Sequence, residues 1–419
     1  MSMLDLAVKS LWNRRLAAAF TLCALALSVT LLLGVERLRT EARSGFANTI
    51  SGVDLIVGAR SGGVQLLLYS VFHIGGATNN IGWRSYQEIA RHPATKWAVP
   101  IALGDSHRGY RVVGTEPDFF QHYRFAGDRT PDFAEGGVFQ TPFEAVLGAD
   151  VARRLQYRLG QPLVLAHGAG QISLMEHADL PFRVSGILKR TGTPLDRSIL
   201  VSLEGITAIH IGWEAGVPMP GLHLSEQEVR RRDLTPKSVT ALLVGLHSRS
   251  ATFQAQRYIN DYRAEPLLAI LPGATLQELW DLVGVGERLL LAVSAFVVVV
   301  GVAGMLTVLL AGLEARRREM AVLRSVGARP RQILGLILGE AAALTLAGIV
   351  LGVMLLYGLI LLLRPVLESQ WGLYLGLALP SLREIGLLGA ILGVGLLSGL
   401  LPAWRACHQS LADGLTVRL

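Results

Sequence analysis

The sequence predicts an integral membrane protein in which four spanning helices carry one large α/β or α+β domain inserted between the first and second. Three observations lead there. Hydrophobic residues make up 51% of the 419 positions and charged residues only 17%. Mean hydropathy is positive, at +0.43. Four stretches stay apolar for about 17 residues or more, the length that a hydrocarbon layer roughly 30 Å thick demands of a helix. A soluble chain of this length would divide into about two or three domains, a reading the composition rejects. The two cysteines, Cys23 inside the first apolar run and Cys407 near the C-terminus, are too few and too badly placed for a disulfide framework.

Residues 1–15 read as a cytoplasmic amphipathic helix whose Lys9, Arg14 and Arg15 stop at the apolar boundary. The first span follows at 16–35. Its core exceeds the usual ~7–15 residues of a cleavable signal, and no small-residue cleavage site precedes a polar start, so it reads as a retained anchor. The second span is expected at 289–313, the third at 333–363 and the fourth at 385–401, ending at Pro402. The third stretch would be about 46 Å long as a helix, so its first turns, with Glu340, fall at the membrane edge.

Orientation follows from the flanking charges. Residues 1–15 carry a net +2, the loop 314–332 carries +4 and the tail 402–419 carries +1, which together equal the whole formal excess of +7. The outer loop 364–384 is neutral, and residues 36–288 hold 26 basic against 25 acidic groups. Both termini and the arginine-rich loop are therefore expected in the cytoplasm, with 36–288 as the periplasmic domain. The basic pI near 9.7 is a topology signal and does not point to nucleic acid.

The domain between the first two spans opens with ERLRTEARSGFANTI and closes with ATLQELWDLVGVGERLL, which read as helical stalks. Between them GVDLIVGA, KWAVPIAL, YRVVGT, PLVLAH, FRVSGIL, RSILVSL, SVTALLVGL and PLLAIL read as strands, and WRSYQEIARH, ADVARRLQY and SATFQAQRYINDY as helices. Gly62–Gly63, Gly136–Gly137 and the stretch 218–220 are expected as breaks between subdomains.

No Gly-Lys dipeptide occurs, so a P-loop is excluded, and HExxH, CxxC, GxSxG and EF-hand patterns are absent. No catalytic residue, cofactor or metal ligand is assigned to this chain, which reads as a non-catalytic subunit. In the loop 314–332, Met320, Leu323 and Val326 fall at helical spacing, Gly327 stands where a helix ends and Pro330 lies beyond. This short amphipathic helix fits two roles: an anchor on lipid headgroups, or a lever docking in a partner's groove.

The run RRREMAVLRSVGARPRQILGLILGEA resembles the cytoplasmic signature of the FtsX/MacB/LolCDE-like (type VII) permeases of ABC transporters. LAVKSLWNRRLAAAFTLCALALSV, VLGADVARRLQYRLGQPLVL, FRVSGILKRTGTPLDRSILVSL and PAWRACHQSLADGL resemble the same family in order and spacing. The resemblance implies an inner-membrane permease without a fused ATPase domain, working as a homodimer or with a related permease. It would bind two copies of an ATP-binding subunit, which would use ATP and Mg. Arg317, Arg318, Glu319, Met320, Leu323, Arg324, Val326, Gly327, Ala328 and Arg329 would form the ATPase-coupling helix, with Glu340 as its support. Such systems act by mechanotransmission, reshaping the periplasmic domain to extract or export a lipophilic, peptide or lipoprotein cargo, in some members with a periplasmic adaptor or envelope protein. Two alternatives stay open: an FtsX-like signalling scaffold regulating an envelope enzyme, and a component of zinc or metallophore handling.

Two further features bear on these readings. Gly348/Gly352, Gly389/Gly393 and Gly395/Gly399 are GxxxG pairs suited to close helix contact in lipid, either within the chain or at a dimer seam. Nine of the ten histidines, including His167, His177, His210 and His223, fall within 36–288. Histidine ligates borderline metals, yet these spacings match no closed zinc site.

Overall fold

The computed structural model describes residues 15–47, 49–168, 177, 179–213, 225–315, 329–366 and 377–408. The chain divides into two compact units, one made of Met1–Ala42 with Gly284–Leu419, the other of Arg43–Val283.

In the first unit, backbone polar groups in lipid find partners only within their own segment, which selects helices. Four helices are long and apolar enough to cross a membrane: Arg15–Ala47, Pro272–Ala315, Pro330–Val366 and Leu382–His408. Pro330 opens the third, a position where its missing N–H leaves no hydrogen bond unmade. The fourth continues through Pro402 to His408 instead of ending at the proline. Ala403 and Ala406 are buried there with Leu313, Ile333, Leu336 and Ile337, and this packing holds the last turns despite the lost hydrogen bond.

The apolar runs face each other through Leu25, Val29, Val302, Met305, Ala341 and Leu344, all buried. Two of the three GxxxG pairs lie within this packing. A Cβ on Gly348 would stand 2.7 Å from the Leu25 Cβ, one on Gly352 2.7 Å from the Val29 Cβ, and one on Gly399 2.7 Å from the Ala341 Cβ. The close approach lets the Thr30 hydroxyl donate to the Gly352 carbonyl at 2.9 Å. Gly389 and Gly393 meet nothing within 4 Å among the described residues.

Charges gather where the apolar runs end. Arg37, 6% exposed, pairs with Glu384 at 3.4 Å and lies 4.9 Å over the Tyr357 ring. Arg39 pairs with both Glu36 and Glu287, and Arg383 also reaches Glu36. Residues of the first, second and fourth helices thus gather in ion pairs, with Tyr357 of the third against Arg37.

Among its described residues the second unit has thirteen strands: β1 (Leu55–Ala59), β2 (Ile81–Gly82), β3 (Thr95–His107), β4 (Tyr110–Thr115), β5 (Phe133–Gly136), β6 (Glu144–Leu147), β7 (Pro162–Leu163), β8 (Ala166–His167), β9 (Phe182–Leu188), β10 (Ser198–Ser202), β11 (Ser238–Val239), β12 (Ala241–Leu246) and β13 (Leu267–Ile270). Eleven form one mixed sheet, ordered β13-β1-β12-β3-β4-β10-β6-β9-β5, with β7 on β9 and β8 on β3. β1, β10 and β12 are buried on both faces, as expected of strands covered on each side. Alternation sends Leu55 and Val57 into one core with Tyr86, Ile89 and Ile259, and Ile56 into another with Leu66, Leu67 and Phe119.

Six of the eight runs read as strands each hold one strand, PLVLAH divides into β7 and β8 on different partners, SVTALLVGL divides into β11 and β12 in different sheets, and the three runs read as helices contain helices. Shorter elements, including β5, β6 and the helices Gly63–Val71 and Leu203–Ile209, emerge only in the structure, because four to nine residues give little periodicity to read. Gly62–Gly63 and Gly136–Gly137 are element ends within one sheet and do not separate subdomains. The stretch 218–220 lies outside the described residues.

The glycine contacts yield a test. Gly352→Leu is expected to destabilise the full chain by about 1–3 kcal/mol, the cost of overpacking, and so to lower its melting midpoint in detergent. Gly393→Leu is expected to leave the midpoint unchanged.

Candidate metal centre

The sequence-predicted coupling residues Arg317, Arg318, Glu319, Met320, Leu323, Arg324, Val326, Gly327 and Ala328 lie outside the described residues. Arg329 is exposed immediately before the third spanning helix, its backbone N–H donating to the Gln332 side chain at 2.9 Å. Glu340 is half-buried on that helix. Within the second unit the fold instead brings together three of the histidines with a residue that sequence reasoning passed over, Asp105.

Asp105 lies near the end of β3, where the register with β4 shifts between Leu103 and Ser106. Such an irregularity re-aims a side chain. β8 pairs there, placing His167 directly opposite Asp105. The chain then turns at Gly168, whose φ of +98° belongs to the left-handed region that glycine adopts without a steric cost. Gly168 donates its N–H to the Gly104 carbonyl at 3.0 Å, and His177 donates its own to Leu165 at 2.8 Å, which returns His177 to the same spot. His210 caps the helix Leu203–Ile209 at its C-terminus. At the other end the Ser202 hydroxyl accepts from the Gly205 N–H at 2.9 Å and fixes where that helix begins.

One potential ligand atom from each of Asp105, His167, His177 and His210 lies within 4.8 Å of every other. Asp105 Oδ1 stands 3.5 Å from His167 Nδ1 and 3.4 Å from His210 Nε2, and these two nitrogens are 3.1 Å apart. His210 Nδ1 donates to the Ile206 carbonyl at 2.7 Å. A carbonyl can only accept, so in the neutral ring Nε2 keeps its lone pair and points it at the cluster. The His177 ring is 4% exposed, and neither of its nitrogens has a hydrogen-bond partner among the described residues. Trp213 packs on it with ring centroids 4.3 Å apart. His167 is 45% exposed on its side chain and opens the cluster to solvent.

The electrostatics follow from this geometry. Burial drives the Asp105 carboxyl upward, but the His167 and His210 hydrogen bonds and the imidazole charges outweigh it, leaving a value of about 2. Burial, with His210 and His167 nearby, pushes His177 down from 6.5 to about 4 despite Asp105. Burial also lowers His210, but the Asp105 hydrogen bond and charge prevail, so its value is raised. An ionised carboxylate beside three imidazoles is a donor set that suits a divalent transition metal. His107 contrasts with this, since its nitrogens engage the Val164 carbonyl and the Tyr157 hydroxyl at 2.6 and 3.1 Å. His223 lies outside the described residues. The histidines were visible in the sequence, but Asp105 was not: its partners lie 62, 72 and 105 positions away, and only its place opposite His167 across two strands marks it.

Comparison with known proteins places the chain. Residues 18–262 match the family model described as MacB-like periplasmic core domain, and residues 291–411 match that of the FtsX-like permease C-terminal region. The chain therefore belongs to the FtsX/MacB-like family of ABC transporter permeases. It is 27% identical over 235 residues to the macrolide export ATP-binding/permease protein MacB of Nitrobacter winogradskyi, covering 54% of this chain and 32% of that protein. It is 24% identical over 275 residues to the pyoverdine export ATP-binding/permease protein PvdT of Pseudomonas fluorescens, covering 64% of this chain and 38% of that protein. The chain thus spans less than two-fifths of the length of either relative. Among solved structures, the periplasmic region of MacB from Actinobacillus actinomycetemcomitans aligns over 55% of this chain and 94% of its own, with 9% identity and a TM-score of 0.34. The extracellular domain of the transporter YknZ from Gram-positive bacteria aligns over 52% and 98%, with 11% identity and a TM-score of 0.30.

The shifted histidines predict a pH profile for the chelator-treated protein. His177 takes up its proton near 6.5 when unfolded but only near 4 when folded, so stability falls as pH drops through that window. His210, raised, acts in the opposite sense: its contribution is complete below 6.5 and is lost as pH rises through its folded value. The melting midpoint of the full chain in detergent is expected to decline from pH 6.5 toward 4, with a shallower decline in His177→Phe. Equal slopes for the two proteins would contradict the assignment.

Proposed function

We propose that this chain is the permease subunit of an ABC transporter of the mechanotransmission type, set in the bacterial inner membrane with both termini in the cytoplasm. Two copies of the permease work with two copies of an ATP-binding subunit, which uses ATP and Mg. ATP-driven closure of the motor subunits acts on residues 317–329, and the resulting motion reshapes the periplasmic domain to extract or export a lipophilic, peptide or lipoprotein cargo. Glu340, half-buried on the helix that follows this segment, supports it.

The observation that carries this reading is the succession of two permease-side family matches, 18–262 then 291–411, along a chain with four membrane-length helices. Both relatives join the words ATP-binding and permease in their names and are named for export, of a macrolide in one case and pyoverdine in the other. The charge distribution supports the orientation, since the arginine-rich loop 314–332 belongs on the cytoplasmic side. The scarcity of charged groups within the apolar stretches, Glu340 excepted, favours motion transmitted through the helices over a polar conduit between them. A second reading, metal handling, is favoured by the cluster of Asp105 with His167, His177 and His210.

Coupling is tested by co-purifying the permease with its ATP-binding subunit and measuring ATP hydrolysis in lipid. Leu323→Glu and Arg324→Glu are each expected to weaken association more than about tenfold, as loss of an interface anchor worth ~2 kcal/mol does, and to abolish stimulated hydrolysis. Association and hydrolysis that persist in both variants would remove residues 317–329 from the interface.

A further inference from the structure

We infer that Asp105, His167, His177 and His210 form a four-coordinate site for a divalent transition metal of the zinc class, held in the domain between the first and second spanning helices. This site is independent of the ATPase-coupling reading, since none of its residues belongs to the coupling segment.

The separations among Asp105, His167 and His210 approach those of a tetrahedral shell, and His177 lies within 4.8 Å of each. Zinc bonds to imidazole nitrogen and carboxylate oxygen of about 2.0–2.2 Å place neighbouring ligand atoms about 3.3–3.5 Å apart. The three separations are 3.5, 3.4 and 3.1 Å. At 3.1 Å two imidazole nitrogens repel unless a proton or a metal lies between them. Asp105 Oδ1, buried and held by the two imidazoles only at 3.4 and 3.5 Å, faces both of them. A cation on that face satisfies all three atoms at once.

His177 supplies the second, independent observation. A buried imidazole whose two nitrogens find no partner among the described residues carries a desolvation cost that none of those residues offsets. Its backbone is pinned to Leu165, and a ring nitrogen already lies within 4.8 Å of a potential ligand atom of each of the other three residues. His210 shows the outer-shell arrangement typical of ligating histidines, with one ring nitrogen donating to a backbone carbonyl and the other presented to the metal. Trp213 stacks on the site and excludes water from one side.

The donor set decides the metal class. Three neutral nitrogens and one carboxylate in a tetrahedral arrangement suit zinc, and cobalt as its spectroscopic substitute; calcium and magnesium call for more oxygens. Four protein ligands leave no open position for an activated water, so the site holds or senses the metal and does not hydrolyse a substrate. Half-exposed His167 provides the route of entry. Because the ligands come from β3, β8, the return at His177 and the end of the helix Leu203–Ile209, metal binding locks these elements together and couples that part of the fold to metal supply.

The test uses the full chain, carrying a purification tag that contains no histidine, extracted in detergent and stripped with a chelator. After equilibration with zinc and removal of free ion, elemental analysis is expected to find one zinc per chain. Titration against a chromogenic chelator is expected to show at least a tenfold to hundredfold loss of affinity in Asp105→Asn, His177→Phe and His210→Gln, an effect on the scale of perturbing a metal site, while His247→Asn binds as the unaltered protein does. Cobalt provides a readout that needs no variant: the unaltered chain is expected to show the intense visible absorption of a tetrahedral ion, displaced by zinc. Substoichiometric zinc, a weak octahedral cobalt spectrum, or full binding retained in the His177→Phe/His210→Gln double variant would each overturn the proposal.

Discussion

A hydrocarbon layer offers no partner to a backbone amide or to a charged side chain, and this constraint governs where nearly every polar group of the first unit lies. It makes the four apolar stretches helical and forces small residues to the places where the helices meet. Gly348 and Gly352 bring the third spanning helix against Leu25 and Val29 of the first, and at that distance Thr30 can donate to a backbone carbonyl of its neighbour. The same constraint pushes ionisable groups to the ends of the apolar runs. There Glu36, Arg37, Arg39, Glu287, Arg383 and Glu384 satisfy one another in a shared cluster. Removing one member would strand a buried charge, so the cluster specifies which helix ends belong together more than it adds net stability.

In the second unit the burden falls on the sheet. Strands buried on both faces leave little freedom of register, since a slip by one residue would exchange the two cores. The 13-residue strand β3 departs from regular pairing with β4 next to Asp105. A buried carboxylate beside three imidazoles is costly to assemble, and the positions of these groups are over-determined by strand pairing, a glycine turn and a capped helix. Such an investment in polar order within an apolar domain is what a ligand site requires, and a stabilising core would be better served by leucine or valine.

Much of this was legible in the residues alone. The spans, the large inserted domain and most of its longer strands could be read because long apolar runs and alternating β-branched segments carry a strong signal, as in LAAAFTLCALALSVTLLLGV for the first span and ALLVGL for β12. The helix Gly63–Val71 escaped notice because GVQLLLYSV is nearly all apolar and short, a pattern that a buried strand shares. The fourth helix was expected to stop at Pro402 because local propensity argues for it; packing of Ala403 and Ala406 overrode the proline. At the candidate site the histidines stood out by type, but no spacing rule links Asp105 to residues as far away as His210.

The sequence by itself determined the membrane class, the number of crossings, the charge asymmetry and the family resemblance, because hydrophobicity, net charge and local periodicity are properties of contiguous residues. Only the tertiary structure decided which glycines meet a neighbouring helix, how the charges at the helix ends pair, and that one aspartate joins three histidines. These are distances between residues remote in the chain, set by strand register and helix packing, and no single segment contains the information.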